Sequence, residues 1–467
     1  MLALKRSYTF SAVLFIFLLL LYTLFGYSLQ REELTYLLLF WVLLFATSTG
    51  FFFLNRKSMA VLFVAGMVFR AIFLIAIPNL SQDFYRFIWD GRMLLEGFNP
   101  YLSLPETWIA RGDAPIPQAT ELYKGMGELN GSHYTNYPPV SQLLYGLSAL
   151  FASKSIINAA IVLRICILLA DIGIFYVGRK LLAALKLPQK RIFWYFLNPF
   201  IIIELTGNLH FEAIMIFFII WSLYLLQKGY WYWAAVIIGI SVSVKLIPLL
   251  FLPLFFKSFI TSQNFTFNRT SEKTSVSTLK RWQQLSCFYL LAAGTVFLTF
   301  LPFFSVDFFS NFIQTVSLWF QKFEFNASIY YIIRWIGYQT VGWNIIETAG
   351  KILPLVTLLI LLGITFFRKN DSLPQLITAM LLGISSYYFL STTIHPWYIA
   401  VPLALCIFTR YKFPIVWSFV IVLSYTAYVN SGFKENLWMV GLEYVIVFGV
   451  FFYEIYKQSA LSNRLSS

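Results

Sequence analysis

Charge is what this sequence has least of. Asp, Glu, Lys and Arg supply 12% of its 467 residues, where soluble globular chains carry roughly 25%. Hydrophobic residues supply 59%, and the mean hydropathy is +0.73. So little polar material cannot cover a compact soluble domain, and so apolar a chain collapses rather than staying disordered. A polytopic membrane protein is what remains. Cysteine is scarce as well. Cys166, Cys287 and Cys406 all fall in apolar runs without metal-ligand spacing, which argues against a disulfide framework and a zinc site. No internal repeat or low-complexity tract is visible in the sequence.

What is there is apolar length. A helix crossing a bilayer needs about 20 apolar residues. Runs on that scale lie near 10–29, 34–54, 58–78, 156–180, 191–208, 211–227, 283–304, 344–367, 373–393, 413–430 and 437–456. Shorter ones lie near 230–244, 246–257 and 397–409. The expected fold is all-α, a single integral membrane domain over 1–467 built as a transmembrane helix bundle of about fourteen crossings. The first run is long and lacks a small-residue cleavage site, so it reads as a retained span.

The net charge of +14 comes from 34 Lys and Arg against 20 Asp and Glu. In a soluble domain that excess would suggest nucleic acid. Here the distribution supplies another origin. With the N-terminus inside, alternation places 21 of the 34 basic residues on the cytoplasmic side, among them Arg56, Lys57, Arg179, Lys180, Lys190, Arg191, Lys257, Arg281, Arg368 and Lys457. That bias fits the positive-inside rule for a bacterial inner membrane with both termini cytoplasmic, and needs no nucleic-acid partner. Two long segments fall on the outer, periplasmic side. The first, 79–155, holds helix-like amphipathic stretches at 81–96 and 140–151 around a Gly/Pro-rich loop. The second, 305–343, is aromatic all round and is expected along the membrane surface. The segment 258–281 is a polar, Ser/Thr-rich cytoplasmic loop. Function is expected on the outer face.

Ionisable groups in or beside spans are costly and default to functional candidates. The richest stretch runs from Ser81 through Asp83, Arg86 and Asp90 to Arg92. Ser81 can cap a helix on which Asp83, Arg86 and Asp90 share one face. A partly desolvated Asp83 there suits a general base; equally, Asp83 can cap the helix while Asp90 pairs with Arg86. Tyr137-Pro138-Pro139 fixes a turn, either a rigid connector or a loop presenting Asn136 and Tyr137 to a polar substrate. Asn198-Pro199 should kink a span, and Asn208, His210 and Glu212 cluster after it. Lys245 sits at an outer turn, where it either snorkels or meets an anionic phosphate. Arg164 and Asp171, seven apart, share a helix face as a structural pair, as two partners of other groups, or with Arg164 on phosphate. His395 lies at the outer mouth of a hairpin, and all three histidines, His133, His210 and His395, map to the outer side.

Together these residues resemble a known family. Asp83-x-Tyr85-Arg86, Trp89-Asp90-Gly91-Arg92 and Gly97-Phe98-Asn99-Pro100-Tyr101, followed by Tyr137-Pro138-Pro139, Asn208-x-His210-Phe211-Glu212, Lys245-x-x-Pro248 and His395-Pro396-Trp397-Tyr398, are similar to landmarks of the GT-C membrane glycosyltransferases that use polyprenyl-phosphate mannose. They span about residues 60–410. The resemblance implies a GT-C-like bundle with its site at the outer membrane boundary, a lipid-linked donor entering sideways, and a glycan or lipid acceptor. Asp83 would be the base, with Asp90 as fallback. Lys245, His395 and Arg164 would meet the donor phosphate, and Asn136, Tyr137, Asn208, His210 and Glu212 the sugar or acceptor. An extra pair of spans before the first outer loop departs from the simplest GT-C arrangement. One base and a phosphate leaving group imply inversion, and no cofactor or divalent metal is expected. A transporter or lipid flippase is the alternative from another class, and a different lipid-linked sugar the alternative within this one.

Overall fold

The computed structural model describes residues 2–152, 154–261, 277–429 and 433–466. Most of the expected cytoplasmic loop 258–281 lies outside the described residues. Among them the regular structure is helical, with one isolated parallel bridge between Phe325 and Thr393 and no strand. Seven helices are long and apolar enough to cross a membrane: Tyr8–Tyr27, Leu34–Asn55, Ile156–Ala184, Thr278–Phe303, Ile346–Phe367, Leu373–Leu390 and Leu437–Ala460. This is an integral membrane protein.

The stretch expected to hold crossings at 191–208 and 211–227 is broken and bent. Pro199–Gly207 and Glu212–Gln227 form one bent pair, meeting at 115°, which counts as an eighth span if taken together. Asn198 Oδ1 accepts from the Phe200 backbone N–H at 3.0 Å, so the chain restarts at the proline. The nine residues that follow rise only roughly 14 Å, about half of a 30 Å hydrocarbon core. Their last turn, Ile202–Gly207, is π-helical. The remaining expected crossings fall on shorter apolar helices: Met59–Ile72, Trp231–Val244, Ile247–Ile260, Pro396–Cys406 and Phe413–Tyr428.

The first eight helices are α1 (Leu2–Tyr27), α2 (Leu34–Asn55), α3 (Met59–Ile72), α4 (Asp83–Leu95), α5 (Pro105–Ala110), α6 (Ala119–Gly131), α7 (Pro139–Ala152) and α8 (Ile156–Ala184). Buried charge locks α3 to α8, since Arg70 Nε meets Asp171 Oδ2 at 2.7 Å with both side chains fully buried. Arg70 also donates to the Phe196 carbonyl at 2.7 Å. Asp171 and Arg164 therefore serve different partners. Arg164 donates to the carbonyls of Thr206, Leu74 and Gly207 at 3.0, 3.0 and 2.9 Å. Thr206 and Gly207 end the bent arm, where helix carbonyls lose their own donors and must be satisfied within the protein.

Helices α4 to α7 form a layer at one end of the bundle. Gly91 lets α4 lie against α7: a Cβ there would come within 2.2 Å of the Tyr145 carbonyl oxygen. The stretch between α4 and α7, expected as a Gly/Pro-rich loop, contains α5 and α6. Leu122, Met126 and Asn130 of α6 recur on one buried face. Gly127, at φ +76°, kinks α6 and disguises it as a turn in the sequence. Helix Val306–Gln321 joins this layer, and Ile329–Thr340 packs against Ile346–Phe367 and Leu373–Leu390. Asn311 Nδ2 and Thr315 Oγ1 each donate to a carbonyl of the first segment, those of Tyr101 and Tyr134, at 3.0 Å. At the Phe325–Thr393 bridge, Phe325 N–H donates to the Thr392 carbonyl at 3.1 Å and Ile394 N–H to that of Phe325 at 2.8 Å. The opposite end gathers the basic turns: Lys257 donates to the Arg368 carbonyl, Arg281 to Ile260 and Arg191 to Thr409.

Candidate active site

A cavity of about 920 Å³ opens at the layered end. Its walls come from distant parts of the chain: Asp83 at the start of α4, Asn130 from α6, Asn136 and Tyr137 before α7, Glu212, Lys245, and His395 to Tyr398. Among the candidates read from sequence, Asp83, Asn136, Tyr137, Glu212, Lys245 and His395 converge here. Asp90, Arg164, Asn208 and His210 do not.

Asp83 is half-buried. Its backbone N–H donates to Ser81 Oγ at 3.3 Å, and its carboxylate oxygen Oδ1 accepts from Asn130 Nδ2 at 3.3 Å. Burial raises its carboxyl above the usual range; Lys245 and the Asn130 bond oppose that rise, and Glu212 adds to it. A carboxylate so placed is a stronger base than a solvated one, with a hydrogen-bonded face and an open one.

Asp90 belongs to the support beneath. Arg86 Nε meets Asp90 Oδ1 at 2.8 Å, and Gln142 Nε2 donates to Asp90 Oδ2 at 3.0 Å. Arg86 also donates to the carbonyls of Asn130 and His133 at 2.5 and 2.9 Å. This knot fixes the end of α6, which carries Asn130, and the α6–α7 connection, which carries Asn136 and Tyr137. Asp90 is fully buried, paired with Arg86 and Gln142, and outside the cavity lining. The Asn99–Tyr101 motif serves the same loop, because the Tyr101 hydroxyl donates to the Tyr137 carbonyl at 2.6 Å. His133 is likewise off the cavity, with burial and Arg86 pushing its imidazole down to about 4.

Lys245 follows helix Trp231–Val244 in an extended conformation, φ −148°, and its ammonium bonds the Glu212 carboxylate. Lys245 keeps 16% of its side-chain exposure and Glu212 only 2%. Next to Lys245, Leu246, Ile247, Leu249 and Leu250 make an apolar wall of the cavity. His395 stacks on Trp397 with ring centroids 4.6 Å apart and planes 1° from parallel. Burial and Lys245 push His395 down to about 3, so it is a neutral imidazole at neutral pH, not a cation.

His210 and Asn208 lie behind the wall. His210 stacks on Trp397 at 3.7 Å, and its Nε2 is 4.0 Å from Glu204, which accepts from the Tyr425 hydroxyl at 2.7 Å. Asn208 Oδ1 accepts from the Leu80 backbone N–H at 3.0 Å, anchoring the approach to Asp83. These two residues therefore lie outside the cavity lining, each with a buried side-chain nitrogen that makes no hydrogen bond among the described residues, and Arg164 is occupied at the bent arm. Sequence reasoning missed Arg31, Trp319, Tyr425 and Tyr428, which also line the cavity. For Arg31 a signal existed: it is a cation in a turn that the positive-inside rule would keep free of one.

Residues 24–260 match the family model described as MptA_B_family, alpha-(1->6)-mannopyranosyltransferase, N-terminal domain. The chain belongs to this family. The match contains Asp83, Glu212 and Lys245; His395 lies beyond it. A curated relative, alpha-(1->6)-mannopyranosyltransferase A of Mycobacterium tuberculosis (strain ATCC 25618 / H37Rv), is 22% identical over 180 residues. That alignment covers 38% of this chain and 33% of the relative, so the chain spans about one third of the length of the curated protein it matches.

Proposed function

We propose that this protein transfers mannose from a polyprenyl-phosphate donor to an acceptor hydroxyl, inverting the anomeric centre. One observation carries this reading. A half-buried carboxylate, Asp83, shares a cavity with an ammonium, Lys245, beside an apolar wall. The family description and the name of the Mycobacterium relative support mannose, and the family resemblance supports the lipid donor.

In the proposed reaction the prenyl tail lies along Leu246, Ile247, Leu249 and Leu250, and the phosphate faces Lys245. His395, neutral, donates or accepts one hydrogen bond there. Asp83 takes the acceptor hydroxyl proton while the acceptor oxygen bonds to the anomeric carbon. The bond from that carbon to the phosphate oxygen breaks, and the electron pair leaves with the phosphate as a monoester. Asn136, Tyr137 and Glu212 are placed to orient sugar or acceptor hydroxyls. The acceptor is a glycan or a lipid.

The site faces the periplasm in this proposal, with both termini cytoplasmic and the shorter apolar helices completing about fourteen crossings. The gathering of basic turns at the end opposite the cavity supports that orientation. The bent pair is also a feature of transporters, so the test must separate the two. Purified protein in liposomes, given a panel of polyprenyl-phosphate sugars, should yield a mannosylated product by mass spectrometry. Solute counterflow without transfer would favour a transporter, and transfer from another donor would change the sugar.

A further inference from the structure

The cavity holds a second cation whose partners leave it available. Arg31 sits in the turn between α1 and α2, the hairpin that precedes the first large segment. Its guanidinium lies over the Tyr428 ring, 4.0 Å from the centroid. Its closest hydrogen-bond acceptor is the Leu80 carbonyl, at a long 3.5 Å from one terminal nitrogen. Its Nε is buried and makes no hydrogen bond among the described residues. Its carboxylate neighbour is Glu32, at 3.7 Å and more than half exposed. A guanidinium has five N–H donors in a rigid fork, and here most of them have no acceptor among the described residues. Stacking on Tyr428 holds the plane without using any of them.

Lys245 is in the opposite condition. Its ammonium is bonded to the buried Glu212 carboxylate, so the pair contributes no net charge. Transfer raises the charge on the donor phosphate: a diester carries one negative charge, and the departing monoester carries up to two. Lys245 alone, held to Glu212, cannot offset the second. Resting on the mannosyl-transfer reading above, we propose that Arg31 is a catalytic residue that binds the phosphate as it leaves. The N-terminal hairpin thereby supplies part of the active site. In this division Lys245 and the apolar wall receive the donor, and Arg31 meets the charge that develops when the bond to the anomeric carbon breaks.

The test is binding of a short-chain polyprenyl phosphate, and of the matching uncharged polyprenol, to wild type, R31K and R31Q of the full chain. Thermal melting of each variant in the same detergent reports folding. Charge-assisted hydrogen bonds to phosphate are strong, so R31Q should weaken polyprenyl-phosphate binding about tenfold or more. Polyprenol binding should be unchanged, and R31K should recover part of the loss. In transfer assays R31Q should lower kcat more than it raises the donor KM, because the added charge exists only after the bond has begun to break. Equal polyprenyl-phosphate affinity in wild type and R31Q, with wild type still transferring mannose, overturns the role of Arg31 and leaves the transferase reading intact. If wild type neither binds polyprenyl phosphate nor transfers mannose, both fall. If R31Q does not fold, R31K decides: unchanged affinity and kcat would overturn the proposal.

Discussion

Asn130 Nδ2 donates to Asp83 Oδ1 at 3.3 Å, while the carbonyl of the same asparagine accepts from Arg86 at 2.5 Å. One residue thus ties the proposed base to the buried Arg86–Asp90 pair, and the arrangement puts the two aspartates in different surroundings.

Asp83→Asn should remove most transfer, by about 10²–10⁴-fold, the range typical of losing a general base. The fold should survive, since Asn keeps the shape and can still bond Asn130. Transfer rate and melting temperature, measured together, check both halves. Full activity in D83N would move the base elsewhere, with Glu212 the next carboxylate on the cavity wall.

The pH profile should carry the mark of burial. Because the Asp83 carboxyl is raised in the folded protein, transfer should fall on acidification at a pH above the ordinary carboxylate range. The same shift has a stability consequence with a definite sign. A raised folded pKa contributes stability that is complete below the unfolded value and lost as pH rises through the folded one. D83N should therefore melt above wild type at neutral pH, and the gap should close in acid. A gap that widens in acid would contradict the shift.

Glu212→Gln tests the bond to Lys245. Neutralising the carboxylate leaves Lys245 charged and releases it, so inorganic phosphate or polyprenyl phosphate should bind several-fold more tightly than to wild type. Lys245→Met should weaken the same binding. Adding E212Q to K245M should then restore stability, because the lone buried carboxylate is gone, but not binding. Titration of the four proteins under one ionic strength gives the comparison.

Asp90→Ala should act on the fold. Removing one member of a buried pair leaves Arg86 uncompensated, at a cost of about 3–5 kcal/mol. Unfolding in detergent should show that loss, with transfer falling in proportion to folded protein. A well-folded D90A with no activity would return Asp90 to the chemistry.

Much of this protein was legible from composition and pattern. Apolar length announced the spans, and the bias of Lys and Arg predicted which turns gather at one end, as Arg191, Lys257, Arg281 and Arg368 do. The helix Asp83–Leu95 lies inside the stretch read at 81–96, and of the two readings of its charges the structure holds Arg86 paired with Asp90 at i, i+4. Helix α6 escaped because Gly125, Gly127 and Gly131 imitate a loop, while its burial depends on partners far along the chain. The 115° bend inside the apolar stretch 191–227 escaped for a related reason. Apolar composition records that a segment avoids water, and it is silent about how sharply the chain bends after Gly207.

The sequence by itself determined the solvent this chain lives in and which of its ends gathers the basic turns, because both are sums over many residues. It also nominated Asp83, Lys245 and His395, since polar groups amid so much hydrocarbon must have a use. Only the tertiary structure decided which candidates share a cavity. Hydrogen bonds across tens of residues occupy Asp90 and Arg164, contacts with Leu80 and Trp397 draw Asn208 and His210 behind the cavity wall, and the same folding leaves Arg31 with unused donors beside Tyr428. Whether a polar side chain is spent or available depends on its neighbours in space, and spacing along the chain does not record them.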